Sequence, residues 1–235
     1  MEHFFTCLSC EIFNYSCFNS IKDEDVKLLA KSKVETLYKK GQNIFYTDRK
    51  PTGIYCLNSG SIKIFKVGEN GKEQIVRFVT PGSLLGIRAF MGGRKYAATA
   101  TAMEDSFVCF IEKKTFFRLI LKYPNISQCL MTILSQLLEE AEDKLTSIAQ
   151  KPVRERLAET LILLEKIFVS PASLENNTSL ISISREDLAN IVGTATETVI
   201  RLLKSFKEEN LIELSGRKIK LIDKPGILKA SRSMR

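Results

Sequence analysis

The 235-residue sequence has no tryptophan and a single histidine, His3. One histidine argues against a histidine-based catalytic triad and against metal sites built from several imidazoles. The phosphate-binding loops GxxxxGK[ST] and GxGxxG are also absent. No stretch approaches the roughly 18 uncharged apolar residues that a membrane helix needs, and the N-terminus MEHFFTCLSC lacks the features of a signal peptide. We therefore expect a soluble, cytoplasmic protein that does not act at a membrane.

The composition is that of a folded protein with a basic surface. Hydrophobic residues make up 44% of the chain and charged residues 26%, which is typical of globular domains. The length suits one or two domains. A net charge of +8 suits a polyanionic partner such as nucleic acid. In a reducing compartment, the six cysteines are expected to be thiols, metal ligands or core residues rather than a disulfide framework.

Short alternating segments dominate the first half of the chain. A short helix is predicted over 23–31. Strands are then predicted at 34–38, 43–46, 53–57, 61–67, 73–79, 97–102 and 107–112. Glycines separate most of them, and no helix-length pattern interrupts them. Many short strands with regular turn signals indicate a sandwich, barrel or roll rather than a parallel α/β sheet.

A long amphipathic helix is predicted next, over 125–150. Asn125 and Gln128 have the spacing of a capping box. About 26 residues would span roughly 39 Å at 1.5 Å per residue. Such a stripe indicates a coiled-coil-like seam with a second copy of the chain, the alternative being packing on the β domain of the same chain. The apolar stripe consists of Ile126, Leu130, Ile133, Leu137, Ala141, Leu145 and Ile148.

The long helix is predicted to end before Pro152. A second helix is predicted over 153–168, followed by a polar loop over 170–179. Residues 184–211 then read SREDLANIVGTATETVIRLLKSFKEENL. Ser184 with Asp187 forms one N-terminal capping box, and Thr194 with Glu197 forms another ten residues later. Two capped helices in close succession are therefore predicted.

The turn between these helices has the spacing of a helix-turn-helix. Gly193 suits a left-handed turn conformation. Ala189, four residues earlier, is small enough to let two helices cross closely, and Val199 would fill the core between them. This pattern predicts a DNA-binding helix-turn-helix, although a generic helical hairpin can imitate it.

The second helix of the pair would enter the major groove with its N-terminus first. Glu197 and Arg201 share one face at i and i+4; glutamate can accept from cytosine N4, and arginine can donate twice to guanine. A solvated ion pair is the alternative for these two. A hairpin at 212–222 reads as a wing, and the tail 216–235 has a net charge of +6, which suits phosphate contacts. The predicted DNA-contacting residues are Thr194, Thr196, Glu197, Ile200, Arg201, Lys204, Arg217 and Lys218.

The whole layout resembles the CRP/FNR family of bacterial transcription regulators, with the FNR type most similar. The most specific stretches are KKGQNIF at 39–45, LNSGSIKIF at 57–65, PGSLLG at 81–86 and IVGTATETVIRLLKSFKEENLI at 191–212. The resemblance implies an α+β protein without enzymatic activity: a double-stranded β-roll of the cyclic-nucleotide-binding jelly-roll type, a long dimerisation helix and a winged helix-turn-helix. It also implies a homodimer on a palindromic DNA site, with RNA polymerase as a further partner. The implied segments are 1–21 (cysteine-bearing), 22–124 (β-roll sensor), 125–151 (dimer helix) and 152–235 (DNA-binding domain).

The recognition helix resembles the FNR branch more than the CRP branch. The resemblance implies that Glu197 and Arg201 read bases of a TGA-type half-site. The CRP branch has an additional base-reading arginine at the position of Thr196, so a TTGA-like site is expected rather than TGTGA. Ile200 replaces a serine of the FNR pattern.

A cyclic nucleotide is not the expected effector. Members of the family that bind one hold its phosphate with an Arg-Ser pair, and these positions fall on Tyr96 and Ala97. The glutamate that holds the ribose falls near Ser83. Arg94 and Lys95 are basic but lie one or two residues away from the phosphate position.

The cysteines resemble the sensor of the FNR type. Cys7, Cys10 and Cys17 correspond to its N-terminal cluster ligands, and Cys109 corresponds to the distant fourth ligand. Four thiolates are the ligands of a [4Fe–4S] cluster, so the resemblance implies oxygen or redox sensing. The gap between Cys10 and Cys17 is six residues rather than the five of the family.

Other uses of these cysteines remain open. The N-terminal three could bind zinc with Cys109, or act as redox thiols, and Cys109 could be a small buried hydrophobe. Cys56 and Cys129 are expected to be structural. An iron–sulfur electron carrier and the regulatory domain of a nucleotide-gated enzyme are alternatives from other functional classes, but neither explains both the long helix and the winged motif.

Overall fold

A computed structural model describes Cys7, residues 10–168 and residues 180–232. The predicted loop 170–179 and His3 lie outside these described residues. The described residues form two compact units. The first contains those up to Lys66 together with Arg77–Glu139, and the second contains Val67–Val76 together with those from Glu140 onward.

Two four-stranded antiparallel sheets form the β-roll and confirm the predicted fold class. Their strand orders are β1-β8-β3-β6 and β2-β7-β4-β5. All the predicted strands are present within two residues of their predicted ends. The strands are β1 (Val34–Tyr38), β2 (Asn43–Phe45), β3 (Gly53–Ser59), β4 (Ile62–Val67), β5 (Glu73–Val79), β6 (Leu84–Leu85), β7 (Thr99–Ala102) and β8 (Ser106–Glu112).

The pairing of β3 with β8 gives their sheet two different faces. Leu57 and Val108 lie opposite each other and are buried in the interior of the roll. Cys56 and Cys109, also opposite each other, lie on the other face with Ile111. Successive side chains on a strand point to opposite faces. The register of β3 against β8 therefore determines both the interior pair, Leu57 and Val108, and the pair on the other face, Cys56 and Cys109.

Helices cover this second face of the sheet. They are a 3₁₀ helix (Glu11–Tyr15), α1 (Asp23–Ser32), α2 (Ile87–Met91), α3 (Lys113–Lys122) and the first half of α4 (Pro124–Gln150). The sequence predicts α1 but not α2 or α3. α3 starts without a side-chain cap, but its apolar residues recur at helical spacing, and Phe116 and Leu119 are buried. Among the helices of the described residues, none is long and apolar enough to cross a membrane.

The long helix α4 begins one residue before its predicted start. Pro124 is its first residue, a position that suits proline because its missing N–H would be unpaired there. Asn125 therefore lies in the first turn, and the prediction that it is the N-cap was wrong. Ile126 and Leu130, predicted to lie in the dimer seam, are 0% and 2% exposed in the core of their own unit, and Ile133 and Leu137 pack against that core. For this half of α4, the alternative of packing on the same chain is correct.

A row of apolar side chains is exposed along α4, and three of its members, Ala141, Leu145 and Ile148, belong to the predicted stripe. Met131, Leu138 and Leu145, spaced by seven residues, are 62%, 60% and 69% exposed. Ala141 and Ile148 are exposed three residues after the second and third of these. Positions a and d of a heptad repeat have this spacing. We call Met131, Leu138, Ala141, Leu145 and Ile148 the exposed row.

The second unit contains the winged helix-turn-helix. Its helices are α5 (Val153–Phe168), α6 (Arg185–Val192), α7 (Thr196–Glu208) and α8 (Lys224–Ala230), and its strands are β9 (Ile181–Ser182), β10 (Ile212–Ser215) and β11 (Lys218–Leu221), in the order β10-β11-β9. The core includes Leu157, Leu161, Ala189, Val199, Phe206, Ile219 and Ile227, all fully buried.

Helix α8 was not predicted, because the sequence from Gly216 onward was expected to be a basic tail. The Asp223 side chain accepts a hydrogen bond from the backbone N–H of Gly226 at 2.9 Å, and Pro225 occupies the first turn. An acceptor residue followed by proline is a helix-start signal that the sequence carries.

The turn between α6 and α7 is as predicted. Gly193 has φ 75° and ψ 52°, the left-handed conformation, and its N–H donates to the carbonyl of Ala189 at 2.9 Å. Ala189 and Val199 are both fully buried. A residue with a Cβ would be strained at Gly193, since the left-handed conformation costs about 1–2 kcal/mol.

One of the two predicted capping boxes is present. The Ser184 hydroxyl accepts from the N–H of Asp187 at 2.9 Å and donates to its carboxylate at 2.7 Å. The second box was wrong. The N-cap of α7 is Ala195, which has no side-chain capping bond, so Thr194 lies one residue before the cap.

This difference between the two caps is testable in the full-length protein. Ser184→Ala should lower the free energy of unfolding of the second unit by about 0.5–2 kcal/mol, because it leaves a helix N–H unpaired. Thr194→Ala is the matched control and should change it by less than about 0.5 kcal/mol. Urea unfolding followed by circular dichroism measures both. An equal loss for the two variants would contradict the assignment of the caps.

Candidate nucleic-acid interface and thiol cavity

The outer face of α7 carries most of the predicted DNA-contacting side chains. Glu197, Ile200, Arg201 and Lys204 are exposed, Ile200 at 52%. Thr194 and Thr196 are half-buried. Val199, Leu203 and Phe206 on the opposite face are buried. The helix therefore presents a polar face with a single large apolar side chain at its centre.

Arg154 of α5 fastens the C-terminal end of α7. One guanidinium nitrogen donates to the Ser205 hydroxyl at 3.0 Å, and another pairs with the Glu209 carboxylate at 2.5 Å. The guanidinium also lies over the ring of Phe206, 4.5 Å from its centroid. The Arg154 guanidinium holds the pKa of Glu209 below its ordinary value. The sequence analysis missed Arg154, because its partners are more than 50 residues away.

The wing is a short hairpin with its basic residues at the tip. Ser215 pairs with Lys218, which leaves a two-residue turn of Gly216 and Arg217, with Gly216 at φ 57°. The predicted turn was Ser-Gly, one residue earlier. Arg217 and Lys218 are exposed. The Arg185 side chain of α6 donates to the carbonyl of Gly216 at 2.9 Å and so ties the wing to the helix pair.

In the first unit, a small cavity brings four cysteines together. Cys7 and Cys10 from the N-terminal segment and Cys56 and Cys109 from β3 and β8 all line it. All four are free thiols. We call this space the thiol cavity. It unites three of the four predicted cluster ligands with Cys56, which the sequence analysis took as structural.

Three polar side chains, those of Ser16, Lys33 and Asn58, also line the thiol cavity. The Lys33 ammonium lies 3.8 Å from the sulfur of Cys109 and pairs with Glu35, and its side chain is only 6% exposed. The Asn58 amide donates to the sulfur of Cys10 at 3.1 Å. The cavity therefore holds one cation and one amide donor directed at sulfur atoms.

Burial favours the protonated form of three thiols in the thiol cavity, those of Cys7, Cys56 and Cys109. Burial raises the pKa of Cys56 to about 12 and that of Cys109 to about 11, and it also raises the pKa of Cys7. The Lys33 ammonium opposes this increase at all three. Burial lowers the pKa of Lys33, but Glu35 and the nearby cysteines more than offset this, so that it lies above its ordinary value.

Cys17 is not one of the cavity thiols. It forms a disulfide with Cys129 of α4, with 5.7 Å between their Cα atoms. From the sequence, the cysteines were expected to be thiols rather than disulfides. Cys17 was expected to be a cluster ligand, and Cys129 an unpaired structural residue. The structure corrects all three expectations, because spacing along the chain does not show that these two side chains, 112 residues apart, meet in one apolar core.

The thiol cavity offers four cysteine thiols, the ligand type that an iron–sulfur cluster uses. In the part of the chain that the structure describes, no three Cys, His, Asp or Glu side chains form a group that could hold one metal ion. A zinc ion needs each sulfur about 2.3 Å from it. A cluster binds its four thiolates through four different irons, so these sulfurs lie farther apart. Four thiols, a cation and an amide donor are the chemistry that such a cluster uses.

Tyr96, on which the resemblance places the first residue of the phosphate-binding pair, is buried in the core of the β-roll. Tyr96 is 5% exposed, and its ring stacks on Phe45 with 4.0 Å between centroids. Arg94 and Lys95 are exposed to solvent. The two basic residues next to Tyr96 therefore do not enter the interior of the roll.

Two family models match the chain. The model of the cyclic nucleotide-binding domain matches residues 35–123, and that of the Crp-like helix-turn-helix domain matches residues 155–230. Among solved structures, FixK2 from Bradyrhizobium japonicum covers 86% of this chain and 99% of its own, with a TM-score of 0.75 and 21% identity. This likeness shows the fold.

Two curated relatives show the family. The transcriptional activator protein FnrA of Stutzerimonas stutzeri is 30% identical over 189 residues, which are 80% of this chain and 77% of FnrA. The fumarate and nitrate reduction regulatory protein of Escherichia coli K12 is 31% identical over 180 residues, 77% of this chain and 71% of that protein. The chain belongs to the CRP/FNR family of DNA-binding transcription regulators, and it is most similar to the FNR type.

Proposed function

We propose that this regulator binds a palindromic TTGA-like site as a homodimer, and that oxygen or redox state controls it through an iron–sulfur cluster on its cysteines. The observation that supports DNA readout is the exposed face of α7, where Glu197 and Arg201 lie side by side above a buried apolar face. RNA polymerase is the proposed further partner, and the cytoplasm is the proposed location.

Readout of bases and contact with phosphates are assigned to different side chains. Arg201 can donate two hydrogen bonds to guanine O6 and N7, and Glu197 can accept from cytosine N4. Ile200, exposed between them, can contact a thymine methyl group. Arg217 and Lys218 at the tip of the wing supply positive charge without base specificity, as phosphate contacts do.

Arg201→Ala should weaken binding to a TTGA-containing palindrome by about 1–3 kcal/mol and relax the preference at one G·C pair. Lys218→Ala should weaken binding to all sequences about equally and reduce the salt slope by about 1. Fluorescence anisotropy with specific and random duplexes at several salt concentrations measures both. Equal losses on both duplexes for Arg201→Ala would mean that this residue does not read a base.

The dimer is supported by the exposed row of α4. Three large apolar side chains, each at least 60% exposed and spaced by heptads, form a contiguous apolar stripe. Ala141 provides the small side chain that lets a second helix approach closely. A second copy of α4 is the occupant with a matching repeat, and its two-fold symmetry matches a palindromic site.

Leu138→Glu tests this seam in full-length protein. A charge at the centre of the seam would be buried without a partner, so the variant should be monomeric and bind DNA weakly. Leu121→Glu is the control, because Leu121 is 84% exposed on α3, outside the exposed row. Multi-angle light scattering gives the masses. A wild-type protein that binds its site as a monomer would contradict the dimer.

Two candidate effector sites are the interior of the β-roll around Tyr96 and the thiol cavity, and their residues favour the cysteines as the proposed sensor. Tyr96, which stands where cyclic-nucleotide binders of the family have a phosphate-binding residue, is buried and stacks on Phe45. The thiol cavity instead offers sulfur ligands. A cluster bound there would supply a group that oxygen attacks. Cys7, Cys10 and Cys109 would hold it, with one further thiolate.

The thiol cavity and the first half of α4 share one apolar core. This core contains Cys7 together with Ile126 and Leu130, and Leu134 packs against it. Leu134 also occupies the d position between Met131 and Leu138. A change in the cavity can therefore alter the packing of the helix that carries the seam, the kind of bistable element through which a sensor acts.

Protein purified without oxygen should be brown, dimeric and bound to its site, and air should reverse all three properties. The measurements are the absorption spectrum, assays of iron and acid-labile sulfide, light scattering and anisotropy before and after aeration. A colourless, iron-free protein that binds its site tightly in air would exclude the cluster. The regulator would then respond to another small molecule, the alternative function.

A further inference from the structure

We propose that the four cluster ligands are Cys7, Cys10, Cys56 and Cys109, and that Cys17 is not a ligand. This inference rests on the proposed iron–sulfur function and changes its ligand set. It replaces Cys17, which was expected from the spacing of the cysteines in the sequence, by Cys56, which is brought next to the other three cysteines by the fold.

The first observation is that the four free thiols meet at one cavity. The four free thiols of the chain come from the N-terminal segment, β3 and β8, and all of them line the thiol cavity. Cys56 faces Cys109 directly across the β3–β8 ladder. Directly opposite residues have Cβ atoms about 4.5–5.5 Å apart, so both sulfurs reach the same space.

The second observation is the direction of Cys17. Its neighbours Ser16 and Phe18 line the thiol cavity, but Cys17 does not. Its sulfur is bonded to that of Cys129 on α4. Both residues belong to the apolar core around α4, so reduction of the disulfide would leave two thiols side by side within that core. The Cys17–Cys129 pair fastens the N-terminal segment to α4.

The third observation is charge and hydrogen bonding. A [4Fe–4S]²⁺ core with four thiolates has a net charge of 2−. Lys33 is the buried ammonium next to Cys109, and the Asn58 amide already donates to the sulfur of Cys10. Hydrogen bonds to ligand sulfurs stabilise the charged form of a cluster. Binding is a ligand exchange without transfer of electrons: a preformed [4Fe–4S]²⁺ cluster leaves the four thiolates of its donor and binds the four cavity thiolates, and the released donor thiolates take up the four protons.

The experiment uses full-length protein expressed and purified without oxygen. The double variant C17S/C129S removes the disulfide pair and leaves only the four cavity cysteines. It should retain the iron, the sulfide and the visible spectrum of the wild type. C56S should lose all three to background, whereas the family's spacing would predict loss in C17S instead.

The controls separate folding from ligation and this inference from the proposed function. Circular dichroism checks that C56S is folded, and if it is not, the iron content of C17S/C129S decides, because that variant has no other thiols. A folded C56S that keeps its cluster, or a C17S/C129S that loses it, would overturn the inference and leave the cluster proposal intact. An iron-free wild type would overturn both.

Discussion

The burial of Ile126 and Leu130 sets the rotation of α4 about its own axis. Two side chains fixed in this core determine which residues of the first half of the helix face outward. Met131 and Leu138 of the exposed row face outward for this reason. The first part of the proposed dimer seam is therefore a consequence of packing in the core that also contains Cys7 and Cys17.

The six cysteines divide into two groups by environment rather than by their order in the chain. Cys17 and Cys129 meet in a disulfide, and the other four meet in the thiol cavity. Only the second group has a buried cation and an amide donor beside it. A tether and a candidate metal site thus lie within one apolar core, and the same N-terminal segment contributes to both.

Local signals in the sequence predicted most of the fold. The helix 153–168, the Gly193 turn and the strand pattern depend on residues close to each other in the chain, and the structure confirms them. What was missed depends on distant partners. Arg154 meets Glu209, Cys17 meets Cys129, and the inward face of α4 is decided by a core that periodicity cannot locate. The exposed face of α7 was predicted, but the place of Cys56 in the thiol cavity was not, because a lone cysteine on a strand has no distinguishing local signal.

The β3–β8 register has a consequence for how the thiol cavity can change in evolution. Insertion of one residue in β3 before Cys56 would move Leu57 towards the thiol cavity and Cys56 into the interior of the roll, since adjacent side chains occupy opposite faces. Insertion of two would restore the faces but separate Cys56 from Cys109. This strand can therefore vary by substitution but not in length.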